Sequence, residues 1–445
     1  MIEPTERLLW CVVVVIVVGA LGLALPAVGM AAPFALVGVL FFVMVDVVLA
    51  GSPRRLLITR VMPERLIESR PADLGVVVQS PANARRALVE ITDTVPQVQQ
   101  PWLHFATALS AGESVTLTAS RTFLKRGHHR AGRLAVRTLG PLGLVRRRQR
   151  RRLDDEYAVS ADLALVMDRA RRLVQGRDSE GGRRKKALER GRDFDSLREY
   201  RRGDDVRLVD WKASARRGAI VIKELVPETR QDVVVILDGG RQLCGRNEAP
   251  EGDGRGANRF DVGLSTGLVL GAAALMKGDR CGFGVLQDEV MAFQPPRAGT
   301  ATLKGIADAT ADLAALPLES AYQVLPGLLQ TRLKRRALVC VITDVVDEAS
   351  ARALAHALLA LRGRHLVVVV AIGDPGLSRL ARAAIDPHDP LGATVPVAAA
   401  RLVQHRQRAL AALEAAGAVV VDAPAPRAAA LVVNAYLALK SGGRL

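Results

Sequence analysis

The stretch "DVVVILDGGRQ" (Asp232–Gln242) carries five consecutive apolar residues, four of them β-branched or flanked by β-branched neighbours, and then stops on Asp238 and two glycines. A run this short and this apolar reads as a strand buried on both faces. The texture recurs in "RCGFGVLQ" (280–287), "ALVCVITD" (337–344), "HLVVVVAIG" (365–373) and "AVVVDA" (418–423). Between these runs lie Ala- and Leu-rich segments of helical period: Phe260–Lys277, Ala349–Leu361, Arg401–Ala416 and Ala428–Lys440. Buried strands alternating with helices predict an α/β domain over residues 231–445, built on a doubly wound parallel sheet. Ligands of such sheets sit beyond the carboxyl ends of the strands, and two strands end there in aspartate, Asp238 and Asp344.

Immediately upstream, residues 193–230 form a different kind of segment, beginning "DFDSLREYRRGDDVRLVDWKASAR" (Asp193–Arg216). It is densely charged yet spends a Tyr and a Trp in a chain only 4% aromatic. "RRGDD" reads as a turn, with Gly203 free to take positive φ. "AIVIKELV" (219–226) reads as a strand and is expected at the antiparallel edge of the sheet. Tyr200 and Trp211 are expected to anchor the segment on the α/β domain. Its charges, where buried, must pair with one another, as in a fork between Arg207 and Asp204 or Asp210. Trp211 and Asp210 fit a fastening role; Arg198, Arg201, Arg202, Asp204 and Asp205 fit a surface that faces a partner.

Further out, "RRRQRRRLDDE" (146–156) and "RRKKALERGR" (183–192) mark residues 146–192 as a basic linker. Neither run is interleaved with aromatics for base stacking, so nucleic acid is not expected; contact with anionic lipid and a solvated linker self-paired with Asp154, Asp155 and Glu156 are the competing readings. Residues 53–145 carry short alternating or β-branched runs such as "GVVVQS", "ALVEITD" and "GRLAVRTLG", the pattern of a small antiparallel β-sandwich. His128 and His129, adjacent on a strand, would point to opposite faces and not share a metal.

The first 52 residues hold "LLWCVVVVIVVGALGLALP" (8–26) and "FALVGVLFFVMVDVVLAG" (34–51), two apolar runs of spanning length joined by an uncharged connection. Glu3 and Glu6 precede the first run, unlike the basic start of a signal peptide. The pair reads as a transmembrane hairpin. Arg7 before it and Arg54, Arg55 and Arg60 after it put both chain ends in the cytoplasm. Asp46 lies in the second run, near its cytoplasmic end, as a candidate functional or interfacial carboxylate. A net charge of +17 suits an anionic neighbour, and four scattered cysteines in 445 residues suit a reducing compartment.

Signs of catalysis are sparse. "GLSTG" places Ser265 between Gly263 and Gly267, but inside a helix and not after a strand, so small residues packing on the sheet are expected there. No P-loop lysine motif is present, and "EGDGRGANRF" (251–260) follows a polar insertion, not a strand.

The segment "GRDFDSLREYRRGDDVRLVDWKASARRG" (191–218) resembles the signature of the DUF58 family, and the surroundings agree: a membrane hairpin, "FLKRGHHRAGRLAVRTLGPLGL" ahead of the signature, and an α/β domain closing on "VVNAYLALKSGGRL". The resemblance implies a bacterial or archaeal inner-membrane protein with a von Willebrand factor A-like domain, acting as an adaptor or assembly partner for a MoxR-type AAA+ ATPase and its client proteins in protein maturation. It also implies where that fold commonly holds a divalent ion such as Mg²⁺. Asp238 matches the first aspartate of the metal loop, Gly240 and Gln242 stand where serines are usual, Asp344 matches the later aspartate, and Thr300 is the candidate threonine. A loosely held hydrated ion and a degenerate scaffold without cofactor both remain open, with Arg241 able to replace the metal's charge. Two functions follow as expectations: a non-enzymatic, membrane-tethered adaptor, and a metal-dependent hydrolase at the bilayer surface using Asp238 and Asp344.

Overall fold

Period-two alternation and two-sided burial sort the chain into two structural units, Met1–Asp162 and Leu163–Leu445. The computed structural model describes all residues except 23–29, 85, 181–192, 202–208, 227–229, 248–257, 347 and 384–393.

In the first unit, β4 (Pro71–Gln79) pairs with β2 (Leu57–Val61) on one side and β7 (Ser114–Thr122) on the other in one antiparallel sheet. A second antiparallel sheet runs β1 (Ile2–Pro4), β10 (Val145–Arg152), β9 (Arg133–Leu139), β5 (Ala87–Thr94) and β6 (Trp102–Leu109). Ile58, Val76 and Val78 from the first pack with Val89, Ile91, Leu134 and Val136 from the second, the inner faces of the antiparallel pattern read from the sequence. A third, small sheet holds β3 (Leu66–Ile67), β11 (Glu156–Ser160) and β8 (Gly127–Arg130).

The unit is larger than residues 53–145, because the stretch read as the start of a basic linker is strand β10. Its seven-residue pairing with β9 runs from Arg146↔Leu139 to Arg152↔Arg133. A strand of arginines has no apolar signal to announce it; backbone pairing and side-chain contacts hold it instead. Arg147 and Arg151 donate to the carbonyls of Ala50 (3.1 Å) and Pro53 (2.7 Å). Of the expected self-pairing, Arg152 meets Asp154, while Asp155 pairs with Arg60 and Glu156 with Arg130. The second basic run, 183–192, lies outside the described residues.

Two apolar helices, α1 (Glu6–Gly22) and α2 (Ala31–Leu49), pack side by side and keep most of their apolar side chains exposed. The second is long and apolar enough to cross a membrane.

The second unit begins with α3 (Leu163–Glu180) and holds a six-stranded sheet of order β16-β15-β14-β17-β18-β19. β14 (Asp232–Asp238), β15 (Arg280–Leu286), β17 (Ala337–Thr343), β18 (Leu366–Gly373) and β19 (Val419–Pro424) are parallel. One face is covered by α5 (Arg259–Met276), with α3 and the C-terminal helix Ala428–Ser441 against it. Its glycines allow the close approach: a Cβ on Gly263 would stand 2.7 Å from Leu237 and one on Gly267 2.7 Å from Phe283. "GLSTG" is therefore a packing surface, as its helical setting indicates. On the other face, helices Glu348–Leu361 and Thr394–Ala415 pack Leu354, Leu358, Leu410 and Leu413 over Ile236, Val339 and Val369.

The antiparallel edge is β16 (Val290–Arg297), not residues 219–226 as expected. Pro295 and Pro296 hide β16 in the sequence, and an edge is where a strand tolerates proline. β13 (Val221–Val226) pairs instead with β12 (Asp193–Glu199) in a separate two-stranded sheet.

Candidate functional site

β14 sends its connection to β15 on one side, while β17 lies on the other, so the strand order reverses between β14 and β17. That switch point is the usual ligand site of an open α/β sheet, and both Asp238 and Asp344 stand at it. The structure brings these two together as expected, and both are buried.

What surrounds them decides what they can do. The Asp238 carboxylate accepts from the Gly240 N–H (2.8 Å) and from the hydroxyls of Ser320, Tyr322 (2.5 Å) and Thr343 (2.5 Å). Burial, reinforced by the neighbouring Asp238 charge, holds the Tyr322 phenol well above its ordinary range, so it remains a proton donor. A side chain at Gly240 would collide with the Ser320 hydroxyl and come 2.8 Å from the Leu318 carbonyl. Ser320 thus supplies from a distant loop the hydroxyl that residue 240 lacks. Gln242, at the second serine position, donates to Ser350 (2.7 Å).

Asp344 accepts from Arg406 and from Arg259 (2.8 Å), and from the Val345 N–H (2.8 Å). Arg259 also reaches Asp374 (3.0 Å), and Arg406 reaches Asp422 (2.8 Å). Burial raises the Asp344 carboxyl above its ordinary value, against the pull of Arg406 and Arg259. For Arg406, burial works downward, but Asp344 and Asp422 outweigh it and hold the guanidinium above its ordinary value.

This donor set does not fit Mg²⁺, which takes oxygen ligands in near-octahedral array. Four donors already use the Asp238 carboxylate, and two guanidiniums use Asp344. Thr300 does not join them. It follows β16, whose Arg297 end lies beside Cys281 near the start of β15, at the opposite end of the sheet. Among the described residues, no group of three or more His, Cys, Asp or Glu is placed to hold a metal. Two guanidiniums meet Asp344, those of Arg259 and Arg406, whereas Arg241 pairs with Glu319 at 2.7 Å. Arg406 was legible in part, since it shares a helical stripe with the buried Ala409, Leu410 and Leu413. Ser320 and Tyr322 lie in an irregular stretch with no period to find them by. Cys244, near Asp238, is a poor nucleophile, because burial and the Asp238 charge raise its thiol.

In the signature segment, Asp210 caps a short helix, α4 (Trp211–Arg217), accepting from the N–H groups of Lys212 (3.1 Å) and Ala213 (3.0 Å). Gly218 closes the helix at φ 67°. The fastening role of Asp210 is local, therefore, and Ser214 adds a bond from the Val221 N–H (2.9 Å). Trp211 is 67% exposed. Tyr200 is half-buried and its N–H bonds the Ile220 carbonyl. Arg198 lies in β12 opposite Ile222, and Arg201 is exposed. Arg202, Asp204, Asp205 and Arg207 lie outside the described residues.

Asp46 is fully buried, and its carboxylate accepts from the N–H groups of Leu142 (2.7 Å), Leu144 (2.8 Å) and Val145 (2.9 Å). Thr5 donates its hydroxyl to the Gly143 carbonyl (2.6 Å) of the same turn. The end of α2 and the segment before α1 thereby grip one β-hairpin. The carboxylate is a structural clasp.

Residues 196–390 match the family model described as "Protein of unknown function DUF58". No curated protein matches the chain. Among solved structures, the crystal structure of an uncharacterized membrane spanning protein from Vibrio fischeri is similar at 15% identity, over 48% of this chain and 98% of that one. The TM-score is 0.19, at which the two need not share a fold.

Proposed function

We propose that the protein is a membrane-anchored adaptor or scaffold, held by α1 and α2 as a transmembrane hairpin in the inner membrane. Both chain ends face the cytoplasm, and an α/β unit of von Willebrand factor A type binds other proteins there. In this reading it works with a MoxR-type AAA+ ATPase and client proteins during assembly or maturation. The observation that carries it is the internal saturation of Asp238 and Asp344: the carboxylates at the switch point serve the fold, which suits a binding platform better than a reaction centre. The exposed face of the signature segment, with Trp211 and Arg201, offers a surface of the composition that protein interfaces use.

Crosslinking in native membranes followed by identification of captured proteins tests this directly; an AAA+ ATPase is expected among them, and its consistent absence would count against the partnership. The competing metal-dependent hydrolase makes a different demand. Calorimetric titration with millimolar Mg²⁺ is expected to show no saturable binding, and binding abolished by D238N would revive the hydrolase.

A further inference from the structure

The outer face of the five-stranded sheet in the first unit carries an open groove of about 710 Å³, within the size range of ligand sites. Its shape follows from cross-strand register. Arg150, Ala135, Thr92 and His104 form one row across β10, β9, β5 and β6; beyond it Arg152 pairs with Arg133 across β10 and β9, and Thr94 with Trp102 across β5 and β6. Short side chains of Ala135, Thr92 and Thr94 make the floor. Arginines stand along one wall, and Trp102 and His104 along the other. The walls belong to strands two to three spacings apart, about 10–14 Å. Thr92 holds the His104 ring at 3.2 Å, and Trp102 is 57% exposed.

Like charges face each other here. Arg148 is directly opposite Arg137, an unfavourable pairing unless an anion lies between. Glu3 provides it, 2.9 Å from Arg148 and 3.4 Å from Arg137. The Nε of Arg148 is nevertheless buried without an acceptor among the described residues. Further along the groove no carboxylate answers Arg133 or Arg150 among the described residues.

The geometry points to this groove as the docking site for an acidic peptide segment of a partner protein, laid along the floor with carboxylates on Arg133 and Arg150 and an aromatic or apolar side chain against Trp102. Glu3 shows the anion the face accepts: a carboxylate carried on a short extended segment. Arg and Trp are also the residues in which interface binding energy concentrates. Lipid headgroups suit the other end of the face. Val145, paired with Pro4 just ahead of α1, lies five residues from Arg150, or about 17 Å along the strand, whereas a headgroup layer is only about 5–7 Å deep.

The test uses the full chain in phosphatidylcholine nanodiscs and fluorescence anisotropy of a labelled peptide of alternating Glu and Phe. Saturable binding is expected, absent for the Gln-for-Glu peptide and weakened at least about tenfold in R133Q/R150Q, the loss of roughly one charge-assisted contact. A135L, which fills the floor without changing charge, is expected to weaken it similarly. Failure of the wild type to bind the acidic peptide, or equal binding by both variants, would overturn the proposal. So would binding of inorganic pyrophosphate or phosphatidylglycerol vesicles that depends on Arg133 and Arg150 while the peptide does not bind, since that marks a phosphate or lipid site. The arginine variants remove exposed side chains, so their folding is expected to match wild type by thermal melting.

Discussion

Asp46 and Asp344 are both buried carboxylates, and the chain satisfies them by opposite means. Three backbone N–H groups of one tight hairpin surround Asp46. Two guanidiniums from separate helices hold Asp344. The first arrangement exports no charge and depends on the shape of a single turn; the second adds charges that must themselves be paired, so it spreads through Asp374 and Asp422 into a network. A turn of N–H groups is a local device for clasping a helix to a domain. A guanidinium network ties distant parts of a sheet's rim together.

The comparison breaks most visibly at Arg406. R406A leaves Asp344 with one guanidinium and Asp422 without its partner, and destabilisation of about 3–5 kcal/mol is expected, the cost of breaking a buried pair from one side. The double variant D344L/R406M removes both charges and is expected to recover most of that loss in chemical denaturation. If the single and double variants lose equally, the network is not what holds the rim.

A smaller effect is expected at the clasp. D46A leaves three N–H groups without an acceptor, at about 2–4 kcal/mol, seen as a lower melting temperature of the first unit; D46N, which keeps an acceptor oxygen, should recover part. Equal losses for D46A and D46N would mean that charge, not acceptor count, is what the hairpin requires.

Glu3 sharpens the contrast, because its partners are guanidiniums but it is partly exposed. The hydrogen bond from Arg148, against the opposing effect of burial, lowers its pKa below 4.5, with the charges of Arg148 and Arg137 adding to the shift. Stability from this group is therefore present above the ordinary carboxylate range and is lost as pH falls through the lowered value. E3Q is expected to change the melting temperature only slightly at pH 7, and the difference should vanish in acid. A difference that persists at low pH would assign the effect to packing.

Much of the second unit was readable because its strands are buried on both faces. The run from Asp232 to Asp238 contains nothing but buried positions, and so does that from Ala337 to Thr343. The cap of α4 was equally local, with Asp210 at one end and Gly218 at the other. β10 was not readable: Arg146, Arg148, Arg150 and Arg152 alternate with Arg147, Gln149 and Arg151, so the period of two is present but has no hydrophobic contrast to reveal it. The two prolines of β16 hide the antiparallel return that carries Thr300 to the opposite end of the sheet from Asp238.

From the sequence alone come the alternation of buried parallel strands and helices in the second unit, the apolar N-terminal helices, and the placement of Asp238 and Asp344 at strand ends, because each is written in a periodicity of a few residues. Whether those carboxylates are open to a ligand was settled only by tertiary structure. Their partners lie 84 residues away for Tyr322, 85 for Arg259 and 62 for Arg406. Contacts closed over such distances depend on how helices pack onto a finished sheet, and no local pattern records them.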